Sequence, residues 1–163
     1  MKKLLLFCIA FIIFTINVNA QLERSLGLRL GGNTELSFQY GFGTGHRVEM
    51  SAGIGFDKQK DSAFSTSINF VGMYVYSNNF SGAWFVYGAF GGGIEADINS
   101  LKMKTMGITD LFYFKFSVDV GLEYQFDVPI AIFLEYRPEL AIHFMSKPTF
   151  QALGLSLGAR YMF

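Results

Sequence analysis

Leu153-Gly154-Leu155-Ser156-Leu157-Gly158-Ala159-Arg160-Tyr161-Met162-Phe163 decides the fold. The odd positions carry Leu153, Leu155, Leu157, Ala159, Tyr161 and Phe163. The even positions carry Gly154, Ser156, Gly158, Arg160 and Met162. Side chains alternate across an extended chain, so this segment is a strand with one apolar wall and one small or charged wall.

The same period runs back through the sequence. Phe112, Phe114, Phe116, Val118, Val120, Leu122, Tyr124 and Phe126 oppose Lys115, Ser117, Asp119, Gly121, Glu123 and Gln125. Val48, Met50, Ala52, Ile54 and Phe56 oppose Arg47, Glu49, Ser51, Gly53 and Gly55; Leu36, Phe38, Tyr40 and Phe42 oppose Glu35, Ser37, Gln39 and Gly41. Leu134, Tyr136, Leu140 and Ile142 oppose Glu135, Arg137, Glu139 and His143. Eight strands are predicted, at 22–32, 34–42, 47–56, 64–76, 83–94, 111–126, 131–144 and 150–163. The fifth is ambiguous: Trp84-Phe85-Val86-Tyr87 is apolar on both walls, and a bulge near Gly91-Gly92-Gly93 is a place for the phase to change. No apolar stripe of helical period competes. The fold class is all-β, an eight-stranded antiparallel up-and-down transmembrane barrel.

The beginning of the chain has its own pattern. Basic Met1-Lys2-Lys3 precedes an apolar run from Leu4 to Ile16, and Val18-Asn19-Ala20 places small residues before Gln21. Residues 1–20 are expected to be a secretory signal peptide, because a spanning helix needs about 20 apolar residues. Cys8 lies inside the run, after bulky Leu6 and Phe7, and reads as ordinary signal sequence rather than a lipidation site. Residues 21–163 then form one barrel domain. They contain no cysteine, 11 Lys+Arg, 13 Asp+Glu and 25 aromatic residues. This balance excludes a disulfide scaffold, a disordered chain and a nucleic-acid partner.

Alternation does not say which wall faces out; volume does. Eight strands enclose a narrow interior. Roughly five large apolar side chains per strand do not fit inside it, whereas a wall of Gly, Ser and a few charges does. The apolar wall is therefore expected to face lipid, where a midplane Lys or Arg would cost about 2–4 kcal/mol. With both termini periplasmic, the downward strands finish on Tyr40, on Tyr74 and Tyr76, on Tyr124 and on Tyr161, and Trp84 opens the fifth strand at the same level. These six form an expected aromatic girdle. The expected periplasmic turns are short (Gly43-Thr44-Gly45, Ser77 to Gly82, Asp127-Val128-Pro129). The extracellular connections include Asp57 to Ala63 and the longest one, Glu95 to Asp110.

On this pattern, the expected signal peptide and the terminal Phe163, the chain resembles small eight-stranded outer-membrane barrels of the OmpA and OmpX kind, in the porin-like barrel family. The resemblance implies several things: location in the bacterial outer membrane, contact with its lipid and lipopolysaccharide, delivery by periplasmic chaperones to a barrel-assembly machinery that reads Phe163, and a monomer. In that family, interior charges build networks that act as internal plugs.

Those charges are the main clue to function. Glu35, Glu49, Asp119, Glu123, Glu135 and Glu139 share the inner wall with Arg29, Arg47, Lys115, Arg137 and Arg160. Buried charges must pair, so a nearly balanced lumen reads as a salt-bridge network holding the barrel closed. Glu135-x-Arg137-x-Glu139 is the densest element, with Lys115, Arg160 and Arg47 as its expected partners. The reading is a structural, envelope or surface-interaction protein. The alternative is a small porin or narrow gated channel, and a lipid-modifying enzyme is third.

No enzyme is expected. His143 has the wrong parity for a hydrolase working at the lipid face, Ser146 falls in a loop, and no nucleophile accompanies the carboxylates. His46 is expected to bond locally at its turn. Gly91-Gly92-Gly93 lacks the Lys and Ser/Thr of a phosphate loop. Lys102 and Lys104 read as a solvated loop, with lipopolysaccharide phosphates as the alternative contact. No cofactor or metal-ligand spacing is present.

Overall fold

The computed structural model describes residues 24–58, 64–97, 112–143 and 147–163. The predicted signal peptide with Cys8, the loop lysines Lys102 and Lys104, and Ser146 lie outside them. The strands are β1 (Arg24–Leu30), β2 (Asn33–Gly43), β3 (His46–Lys58), β4 (Phe64–Ser81), β5 (Trp84–Asp97), β6 (Phe112–Gln125), β7 (Ile130–Tyr136), β8 (Glu139–His143), β9 (Thr149–Gln151) and β10 (Leu155–Met162). Every pairing is antiparallel. β1 to β6 follow chain order, β6 pairs with both β7 and β8, and β10 joins β7 to β1. β7 and β8 are two halves of one stave, as are β9 and β10. The described residues thus close into a ring of eight staves.

Following matched residues from Arg29 through Glu35, Gly53, Asn69 and Glu95 leads to Tyr113 on β6. The other way round, through Gly158 and Phe133, leads to Glu123 on the same strand. The ring is therefore sheared by the ten residues between 113 and 123, which tilts its staves by roughly 35–45° and leaves an interior that side chains can fill.

Both broken staves have a local cause. Pro138 has no N–H to give to a ladder. Beside it, the Arg137 N–H donates to the Gly154 carbonyl at 2.7 Å, and a Cβ on Gly154 would collide with the Arg137 carbonyl. Only glycine permits that approach. At the opposite end of the barrel, Gly45 (φ +77°) and Gly82 (φ +56°) make turns in the left-handed region that glycine occupies without strain. The expected Ser77 to Gly82 turn is shorter than the sequence suggested: β4 continues to Ser81, and its last residues pair with β5 across a register shift near Asn79.

Burial alternates along each stave. Leu26, Leu28, Leu36, Phe38, Met50, Ile54, Phe90, Phe114, Phe116, Val118, Leu134, Leu155 and Leu157 point outward, and exposure reaches 65% at Leu155. The fifth strand corrects one expectation. It keeps a single phase past its glycines, with Tyr87, Ala89 and Glu95 buried and Val86, Phe90 and Ile94 exposed. Its pairing with β6 is unbroken from Trp84 to Ala96. The inner wall is also less uniformly polar than its Gly, Ser and charge pattern suggested. Val71, Met73, Val75, Tyr87, Ala89 and Phe133 form a buried apolar cluster inside the ring.

A charged lumen as the candidate functional site

The inward positions of all eight staves converge on one network in three tiers. The central tier is built on Arg29 of β1 and Arg137, which lies between β7 and β8. Both are almost wholly buried. Their guanidinium groups share Glu35 Oε2, at 2.6 Å from Arg29 and 3.0 Å from Arg137. Arg29 also pairs with Glu49 at 2.7 Å and with Glu135. Arg137 forks onto Asp119, its Nε 2.7 Å from Oδ1 and its Nη2 2.8 Å from Oδ2. That two-pronged match of guanidinium and carboxylate is the strongest form of ion pair.

Two arginines here face four carboxylates, and neutral donors make up the difference. Tyr87 donates its hydroxyl hydrogen to Glu135 at 2.8 Å, Ser156 donates to Glu135 at 3.1 Å, and Asn69 donates to Glu35 at 3.0 Å. Gln39 donates to Glu49. Glu35, Glu49 and Glu135 thus each gain a donor besides their cations, while Asp119 is held by the two-pronged contact with Arg137.

Toward the end away from the short turns, Lys115 lies between Glu95, at 2.8 Å, and Glu139. Toward the short turns, Arg47 and Arg160 reach Glu123 at 3.5 and 3.0 Å, and Gln125 donates to the same carboxylate at 2.7 Å. Arg160 differs from the other buried arginines. Its three guanidinium nitrogens make no hydrogen bond among the described residues, and the group lies 4.2 Å from the centre of the Phe133 ring.

All eleven predicted lumen charges point inward, and the structure brings them into contact. Two details differ from expectation. Of the expected partners of the Glu135, Arg137 and Glu139 group, only Lys115 takes that place; Arg47 and Arg160 turn to Glu123 because their staves carry them toward the other end. Glu95 was missed. It was assigned to a loop because the fifth strand's phase was unreadable, yet it is the seventh described inward acid. Its signal was its spacing from Tyr87, a multiple of two.

Tyr40, Tyr74, Tyr76, Trp84, Tyr124 and Tyr161 lie on the outer face near the short turns. Trp84 packs edge-on against Tyr124 at 4.8 Å, and Tyr161 stacks on Phe163 at 6.1 Å. Sequence reasoning also missed His46 as part of this group. Its Nδ1 is hydrogen-bonded with the Tyr74 hydroxyl, and its ring meets Tyr76 at 5.1 Å. His143 points inward, with its ring 4.5 Å from that of Tyr113.

A polar cavity of about 40 Å³ opens at the rim away from the short turns and ends on Arg29, Glu35, Arg137 and Glu139. That is room for a few water molecules, not for an organic ligand. No group of metal-binding side chains occurs among the described residues.

A closed eight-stave antiparallel ring with an apolar outer wall and a charged lumen is the fold of the small outer-membrane barrels. Neisserial surface protein A (NspA) aligns with a TM-score of 0.59 over 86% of this chain and 93% of its own, at 14% identity. The outer membrane enzyme PagL aligns with a TM-score of 0.48 over 85% and 97%, also at 14% identity. The likeness to the first is one of fold. No protein-family model and no curated protein sequence matches the chain.

Proposed function

We propose that the protein is an integral bacterial outer-membrane barrel with a closed lumen, serving the envelope as a structural element or a platform for surface contacts. One observation carries this reading: Arg29 and Arg137 cross the lumen to carboxylates of four different strands, so the centre of the barrel is filled by paired charge. The apolar outer wall supports insertion, since soluble monomers rarely expose continuous apolar surface beyond a few hundred Å². In this reading Tyr40, Tyr74, Tyr76, Trp84, Tyr124 and Tyr161 sit at the periplasmic interface of the bilayer, and Phe163 serves assembly. No catalytic role is assigned to His143, which is engaged with Tyr113 inside the lumen.

The test is conductance of the refolded protein in a planar bilayer, with folding verified by a heat-dependent shift in gel mobility. A silent membrane is the expected result. Discrete, reproducible steps would replace the closed reading with that of a small channel, which the rim cavity reaching Arg29 and Arg137 favours as the second reading.

A further inference from the structure

Arg29, Arg47, Lys115, Arg137 and Arg160 line the inner wall, and each meets a carboxylate. Arg24 stands apart from them. It opens β1 one position before inward Ser25, so it is exposed on the outer wall with Leu26, Leu28 and Leu30. Among the described residues its guanidinium has no carboxylate partner; it lies over the Tyr40 ring, 5.8 Å from the ring centre.

Register fixes the level of this charge. Arg24 is paired with Tyr40 of β2, and from the other side the Phe163 N–H donates to the Arg24 carbonyl. Tyr161 stacks on Phe163, so aromatic rings flank the arginine on both neighbouring staves. The charge therefore lies in the aromatic girdle. Among the described residues, no other outward strand position at this end carries Asp, Glu, Lys or Arg. Toward the belt, β1 turns only leucines to the outside, and Leu26 is paired with Phe38 of β2.

The chemistry of Arg24 suits one kind of partner. A guanidinium over an aromatic face is held in place, and its planar fork matches two oxygens of a phosphate. It is also weakly hydrated, so it gives up little on leaving water. The Tyr40 hydroxyl makes no hydrogen bond among the described residues and is a second donor on the same ring. A free phosphate would have to leave water for an apolar wall. A lipid brings its phosphate to the girdle and its chains to the leucines.

We propose that Arg24 and Tyr40 form a binding site for the phosphate of a membrane phospholipid, whose acyl chains lie along Leu26, Leu28 and Phe38. The site needs an outer wall that faces a bilayer, and so rests on the outer-membrane reading.

The test compares wild type, Arg24→Gln and Lys147→Gln, each refolded in detergent and verified as folded by heat-dependent gel mobility. Each is titrated with phosphatidylglycerol or with diacylglycerol of the same chains, which lacks the phosphate, and native mass spectrometry counts the bound lipid. Wild type is expected to bind phosphatidylglycerol about fivefold more tightly than Arg24→Gln, the weight of one basic side chain at an anionic surface. Lys147, exposed at the opposite end, is expected to be replaceable without loss. Diacylglycerol is expected to bind all three alike. Equal binding of phosphatidylglycerol by wild type and Arg24→Gln overturns the site. An equal loss in Lys147→Gln also overturns it, because overall charge would then be the cause. So does a preference for wild type that diacylglycerol reproduces, because the chains alone would then be recognised. The outer-membrane reading fails on a separate measurement: wild type that does not insert into preformed phospholipid vesicles defeats it, whatever lipid it binds in detergent.

Discussion

Arg137 and Arg160 carry the same charge at similar depth, yet their surroundings differ. Arg137 makes a two-pronged contact with Asp119 and a further bond to Glu35. Arg137→Ala leaves those buried carboxylates short of a cation. It is expected to destabilise the barrel by about 3–5 kcal/mol in urea unfolding from liposomes. Arg160→Ala is expected to cost less than half as much. Glu123 keeps Arg47 and Gln125, and Arg160 forfeits no hydrogen bond to the described residues. Equal losses for the two arginines would contradict this ranking. The glycine against the Phe133 ring gives a second residue-level expectation: Gly158→Ala forces a methyl into the Phe133 ring and should cost about 1–3 kcal/mol in the same assay, the range for overpacking a filled interior.

The eighth stave is uneven among the elements. β10 is paired on both sides, by β1 and β7, whereas β9 is paired with β8 alone among the described residues. Amide exchange is therefore expected to be faster at Thr149–Gln151 than at Leu157–Tyr161, where opening requires breaking two ladders. Comparable protection along the whole stave would show that β9 has a second partner. This unevenness was hidden from the sequence for a physical reason. Alternation reports which way side chains point, and parity continues across both breaks, with Glu135, Arg137 and Glu139 all inward. What interrupts the ladder is a proline without an N–H and a backbone contact at Gly154, and neither alters the pattern of apolar residues. The same logic separates the readable strands from the unreadable one. Where one wall was charged, as on β3 and β6, direction and phase followed directly. On β4 and β5, Val71, Met73, Val75 and Tyr87 make the inner wall apolar too, so the apolar lumen cluster and Glu95 emerged only from the closed ring. Which charges pair also depended on shear, a property of all eight staves together.

On the scale of the whole molecule, the outer face divides into an apolar belt and an aromatic end. Trp84 is the only tryptophan in the chain and sits at that end, against Tyr124. If the belt spans a bilayer, quenching labels placed near the lipid headgroups should reduce Trp84 fluorescence more than labels near the acyl-chain ends; the opposite order would put the ring at the wrong depth. The described barrel also has no seam. The Phe163 N–H donates to the Arg24 carbonyl at 2.9 Å, and Ser25 pairs with Met162 as closely as any two strands joined by a turn. The order in which the staves are written along the gene is thus separable from the order in which they stand in the wall. A circular permutant that links Phe163 to Arg24 and opens at Thr44–Gly45 would preserve every strand pair while moving Phe163 to mid-chain. That rearrangement would show what the phenylalanine contributes by its position in the ring alone, since its neighbours in the wall stay the same while its place along the chain changes.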